Sequence, residues 1–111
     1  MKIGHVAFGE IEINGKKYNN DVTVWWYGEI EEREKSHVFS RKELLRLLES
    51  DPEIIVVGTG QSGLCKVEPS ARTEAKLNGV ELIAEVTPKA VEEFNKLVKK
   101  KRVIGVFHLT C

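Results

Sequence analysis

The sequence predicts an α/β fold, a three-layer sandwich with a mixed central sheet and an antiparallel hairpin added at its N-terminal side. Three observations predict it. Val22, Val24 and Trp26 alternate with Asp21, Thr23 and Trp25, the period-two pattern of a strand with two distinct faces. From residue 54 onward, short apolar runs and amphipathic segments take turns, as strands and helices do in an α/β unit. The run 103–109 is apolar almost throughout, the mark of a central strand covered on both faces. With 111 residues the chain can bury one core and is too short for two, so a single domain over 1–111 is expected.

The elements follow in order. Residues 5–13 and 21–27 read as strands, and Asn14-Gly15 between them is a hairpin signal, because both central residues of a type I′ turn need positive φ. Residues 28–39 are charged and weakly patterned, an exposed loop or irregular strand. Ser40-Arg41-Lys42-Glu43 matches a capping box, with Phe39 and Leu44 placed as its hydrophobic staple. Leu44, Leu47 and Leu48 share one helical face, and Asp51-Pro52 ends that helix. A buried strand over 54–57 comes next, then a helix over 70–78 closed by Asn78-Gly79 in a left-handed cap. Residues 80–86 form the following strand. Thr87 caps the last helix with Pro88 at its first position, and Val91, Phe94, Leu97 and Val98 face the core.

Composition narrows the function. Lys plus Arg and Asp plus Glu both total 17, and this zero net charge argues against a general nucleic-acid binder, since such proteins need excess positive charge. The basic run Lys99-Lys100-Lys101-Arg102 ends a helix, where cations favour the macrodipole. Charged residues make up 31% of the chain, a density suited to a hot-living source and a thermostable protein. No apolar run approaches the roughly 20 residues of a membrane helix, so no membrane partner is expected. Met1-Lys2-Ile3-Gly4-His5 leads straight into a patterned segment with no visible leader. A cytoplasmic protein with reduced Cys65 and Cys111 is therefore expected.

The candidate chemistry centres on Gly58, Thr59, Gly60, Gln61, Ser62 and Gly63, which follow the 54–57 strand with GxGxxG spacing. A dinucleotide site needs its helix to begin within that loop, so that free amides meet the pyrophosphate. Here Leu64-Cys65-Lys66-Val67 looks extended, and Pro69 disfavours helical geometry at Glu68. No cofactor is expected. The loop reads either as a tight turn or as a cradle of amides that, with Lys66, holds a small anion. Cys65 is a candidate reactive thiol, because the neighbouring Lys66 ammonium favours the thiolate; the other reading is a small buried hydrophobe.

His108 and Cys111 could supply two metal ligands, but a structural zinc site needs four and no second pair exists, so no metal is expected. His5 and His37 are isolated in sequence. In the Trp25-Trp26-Tyr27 cluster, alternation points Trp26 inward. It leaves Trp25 and Tyr27 on a face either covered by the fold or open to a partner.

Two stretches together carry a resemblance: Ile55-Val56-Val57-Gly58-x-Gly60-x-Ser62, continuing to Lys66-Val67, and Gly105-Val106-Phe107-His108-x-Thr110-Cys111. They resemble the small domain shared by the adipogenesis-associated protein and the mitochondrial complex I (NADH:ubiquinone oxidoreductase) assembly factor 3. Lys17, Tyr18, Asp21, Val22 and Trp25 fit that family's early strand, and Ala90, Val91, Glu93 and Asn95 its last helix. The resemblance implies a three-layer α/β fold and brings no catalytic residues with it. It aligns His37 with a loop histidine, which joins Trp25 and Tyr27 as candidate interaction residues. It also implies a final strand antiparallel to its neighbours, which would carry Cys111 away from the glycine loop and leave both thiols free.

The expected function is a non-enzymatic protein-interaction or assembly-factor-like scaffold with a protein partner. The alternative is a small-molecule or anion-binding domain, enzymatic or not, that uses the 58–63 loop with Ser62, Cys65 and Lys66.

Overall fold

The computed structural model of the protein describes residues 2–111. In chain order the elements are β1 (Ile3–Ala7), β2 (Glu10–Ile13), β3 (Lys16–Tyr18), β4 (Val22–Trp25), β5 (Ile30–Glu32), β6 (Val38–Phe39) and α1 (Arg41–Leu48). There follow β7 (Ile54–Thr59), β8 (Lys66–Val67), α2 (Pro69–Leu77), β9 (Glu81–Glu85), α3 (Thr87–Leu97) and β10 (Val103–His108).

The apolar run at 103–109 becomes the middle strand of a five-stranded sheet ordered β5-β4-β10-β7-β9, as its lack of a polar face predicts. β10 pairs antiparallel with β4 and parallel with β7, and β7 pairs parallel with β9. The implied antiparallel final strand is therefore corrected on the β7 side. α3 carries the chain from the end of β9 back across the sheet, and such a crossover returns a strand in the same direction. Cys111 consequently lies at the glycine-loop end of the sheet, although both thiols are free.

Strand alternation sends side chains to the two faces of this one sheet, and an apolar cluster forms on each. On one face Leu44 and Leu47 of α1 and Ala71 and Ala75 of α2 cover Ile55, Val57, Ile104 and Val106. On the other, Ala90, Val91 and Phe94 of α3, together with Ile3, Ile11 and Ile13, cover Val22, Val24, Val56 and Phe107. Each fully buried Val, Leu, Ile or Phe among them contributes about 1.5–3 kcal/mol. The Phe94 and Phe107 rings meet edge to face at 5.8 Å, in space that only Gly105 leaves open.

The N-terminal third departs from the single predicted hairpin. Asn14 and Gly15 do adopt positive φ, 52° and 84°, but their turn joins β2 to β3. A second turn at Phe8-Gly9 splits the predicted first strand, giving a separate antiparallel sheet β1-β2-β3. The Asn95 side chain of α3 clasps that sheet, accepting from Ile3 N at 3.0 Å and donating to Ile3 O at 2.8 Å.

Two local expectations also change. Ser40 caps α1 by accepting from Glu43 N at 3.1 Å, while the Glu43 carboxylate turns to Arg33 instead of completing the box. α3 is capped at Val86, and Thr87, one residue later, spends its hydroxyl on tertiary bonds. No described helix is long and apolar enough to cross a membrane.

Candidate functional site

The parallel register of β7 and β10 sets Gly58 beside Phe107 and Thr59 beside His108, so the loop after β7 and the tail after β10 leave the sheet together. Gln61 N donates to Thr110 O and Leu64 N to Cys111 O, each at 3.3 Å, while Cys65 N turns back to Thr59 O at 3.0 Å. Gly60 N donates to Thr87 Oγ1, whose hydroxyl donates in turn to His108 O. Gly60 and Gly63 take positive φ. A Cβ on Gly60 would stand 2.3 Å from Thr110 O, so the glycine is what lets the loop close on the tail. Four amides around the glycine loop, those of Gly60, Gln61, Leu64 and Cys65, are thus engaged within the protein. Thr59 Oγ1 donates to Glu85 O.

The loop also positions His37. Beyond Cys65 the chain enters β8, which pairs parallel with β6, Val38 beside Lys66 and Phe39 beside Val67. Lys66 N donates to His37 O at 2.8 Å, while the residue itself is exposed. His37 comes to rest against the tail: its Nε2 lies 3.7 Å from Cys111 Sγ, and its ring lies 5.1 Å from the His108 ring. The histidine that is isolated in sequence joins the His108–Cys111 pair in space. One donor atom from each of His37, His108 and Cys111 lies within 4.8 Å of the other two.

Beneath this surface runs a buried charged relay. His108, 1% exposed, has Nδ1 at 2.6 Å from Asp21 Oδ2, and Asp21 Oδ1 accepts from Leu109 N at 3.0 Å. An ionised carboxylate only accepts, so the Nδ1 that faces it carries a proton, and in the neutral ring Nε2 then holds the lone pair. Arg33 reaches Asp21 Oδ2 at 3.3 Å and grips Glu43 with two bonds, at 2.7 and 3.1 Å. Its burial opposes the charge, but the bonds and field of Glu43 outweigh that and hold its pKa above the usual value. Among the described residues, the buried side-chain atoms lacking a hydrogen-bond partner are His108 Nε2, Gln61 Nε2 and Thr110 Oγ1. They belong to the loop, the tail and the last residue of β10.

The sequence-predicted residues divide between the two ends of the sheet. The 58–63 loop, Cys65, Lys66 and His37 gather at the tail end. Trp25 pairs with Ile104 at the opposite end and is buried, its Nε1 donating to Ser50 Oγ, because β4 has both faces covered. Trp26, assigned inward by alternation, lies past the end of β4 and is only half-buried, stacked edge to face on the exposed Tyr27. Cys65 is buried, with Sγ 3.8 Å from Ser36 O; burial pushes its thiol up, against a partial opposing pull from Arg33. Two cavities, of about 370 and 570 Å³, share the lining residues Glu32, Arg33, Glu34 and Lys35, and neither is lined by the 58–66 segment.

Sequence reasoning missed Asp21, Arg33 and Thr87. Asp21 carries the one legible signal, an acid opening an otherwise buried strand.

The family described as protein of unknown function (DUF498/DUF598) matches residues 3–108. The chain belongs to this family. The DUF498/DUF598 chain is 32% identical to the conserved hypothetical protein PH1505 from Pyrococcus horikoshii OT3, with all of both chains covered and a TM-score of 0.91. It is 26% identical to a solved structure named MT938, over 99% of this chain and 98% of that one, at a TM-score of 0.84. An outer membrane protein from Bartonella henselae, 17% identical over 98% and 94% of the two chains, shares the fold at a TM-score of 0.81.

Proposed function

We propose that this DUF498/DUF598 domain is a protein-interaction module, assembly-factor-like, whose recognition surface is the sheet end around residues 109–111. The observation that carries this reading is the exposure of apolar residues in segments that border the tail. Phe8 is 69% exposed, Leu64 56% and Val86 42%. All three belong to segments tied to one another or to the tail. Gly9 N donates to Leu109 O at 2.9 Å, Leu64 N donates to Cys111 O, and a Cβ on Gly63 would lie 3.5 Å from Val86 Cγ1. Single exposed apolar residues are ordinary, whereas a group of them around a polar centre has the composition of an interface.

Further support comes from the loop. Four amides that could otherwise face a phosphate or other small anion are spent within the protein, two of them on the tail, which favours a binding surface over a small-anion site. The resemblance to assembly-factor domains points the same way, and two free thiols suit a reducing, cytoplasmic setting.

Crosslinked affinity capture with wild type, Leu64→Asp and Val86→Asp tests the reading. A specific partner should be recovered by the wild type and fall about tenfold or more with either variant, a loss of about 1.4 kcal/mol. Urea midpoints of the variants should stay near that of the wild type. Equal recovery by all three proteins would overturn this surface.

A further inference from the structure

We propose that His37, His108 and Cys111 form a binding site for a divalent transition metal of the zinc class. The site goes beyond the interaction surface and does not depend on it.

Donor chemistry comes first. Two imidazoles and one thiol make a borderline-soft nitrogen–sulfur set, which suits Zn²⁺ and its neighbours and not the oxygen-seeking Mg²⁺ or Ca²⁺. The three donor atoms already lie within 4.8 Å of one another. Zinc–ligand bonds of about 2.0–2.3 Å give tetrahedral edges of about 3.3–3.7 Å. The 3.7 Å between Cys111 Sγ and His37 Nε2 is such an edge. The remaining closure falls to His37, which is exposed, and Cys111, which is half-buried, while His108 is fixed in the core.

The second observation is independent of the clustering. His108 is 1% exposed, and its Nε2 is a buried nitrogen with no hydrogen-bond partner. A neutral histidine that donates Nδ1–H to a carboxylate has its Nε2 lone pair prepared for a metal, the arrangement that supports histidine ligands in zinc sites. Asp21 is itself held, by Leu109 N at 3.0 Å and Arg33 at 3.3 Å, so the ring that it orients has little freedom to turn. Three protein ligands leave a fourth position for water or an incoming group, as in zinc sites that are not purely structural.

The same atoms could instead make Cys111 a nucleophile with His108 as its base. Acyl chemistry of that kind needs backbone donors for a developing oxyanion. The amides of Gly60, Gln61, Leu64 and Cys65 are all engaged elsewhere. A second imidazole on the thiol is also more than a single base requires. The metal reading uses every donor present.

Cobalt and zinc titrations of the reduced, chelator-treated chain test the proposal. One equivalent of Co²⁺ should produce a thiolate-to-metal charge-transfer band together with the intense visible bands of four-coordinate cobalt. Cys111→Ser should abolish the charge-transfer band. His37→Ala should weaken Zn²⁺ at least tenfold in competition with a chromogenic chelator. Asp21→Asn, which removes the carboxylate that orients His108 without touching a ligand atom, should weaken it by about 10–100-fold. Cys65→Ser should leave band and affinity unchanged. Because His37 and Cys111 are not core residues, their variants should keep wild-type urea midpoints in the absence of metal. The proposal is overturned by a wild type that shows no charge-transfer band, by a band that survives Cys111→Ser or depends on Cys65, or by zinc affinity indifferent to His37→Ala.

Discussion

Gly60 occupies a position that no side chain can share. Its φ of +99° lies in the left-handed region, and a Cβ there would sit 2.3 Å from Thr110 O and 3.0 Å from the Cys111 carbonyl carbon. Gly60→Ala must therefore strain the backbone and also push the tail off the loop. Strain of this kind costs about 1–3 kcal/mol, and overpacking about as much again. The expected loss is about 2–4 kcal/mol in urea denaturation. Gly15 has a similar φ of +84° with nothing within 4 Å of the added carbon, so Gly15→Ala should lose only about 1 kcal/mol. Equal losses at the two positions would show that the loop does not grip the tail.

At the scale of elements, Arg33 joins segments that local pattern keeps apart. It lies in the charged stretch after β5 that reads as solvent-exposed, yet only 9% of it is accessible. It binds Asp21 before β4, Glu43 in α1 and the carbonyls of Ser36 and Val38. Truncating it strands two carboxylates in a poorly solvated place. Arg33→Ala should therefore cost about 3–5 kcal/mol, and a double-mutant cycle with Glu43→Ala should show coupling above about 0.5 kcal/mol. A loss within about 0.5 kcal/mol would mean that the cluster behaves as ordinary surface charge.

Local sequence carries part of this fold and hides the rest. Ser40 as a cap, Asn14-Gly15 as a turn and Gly79 as a helix stop are written in neighbouring residues, and all three are read correctly. Val103–His108 as the central strand is legible because a strand covered on both faces has no polar alternation. Asp21 with His108, 87 residues apart, is invisible to any local pattern, as is the meeting of His37 with Cys111. The direction of β10 is hidden for the same reason, since parallel pairing is a property of the crossover and not of the strand.

For the whole molecule, the placement of β10 makes stability uneven. It is hydrogen-bonded on both edges and buried on both faces, whereas β1-β2-β3 is a small sheet clasped largely from one side. Amides of the central strand should exchange only through global opening, and those of the small sheet through local opening of lower free energy. Native-state hydrogen exchange should accordingly find Gly105 and Val106 among the slowest amides and β3 among the fastest strand amides. Uniform protection across both sheets would refute that ordering.

The central strand is also the last strand of its sheet in chain order, and this matters for a chain emerging from the ribosome. Before residues 103–108 are available, β4-β5 and β7-β9 are two strand pairs, each with an open edge where β10 will lie. Neither pair can complete its half of the sheet, and unpaired edges invite pairing with other chains. Assembly of this sheet is therefore a closing event that waits for residues 103–108. The nascent chain depends on β10 to turn two vulnerable halves into one.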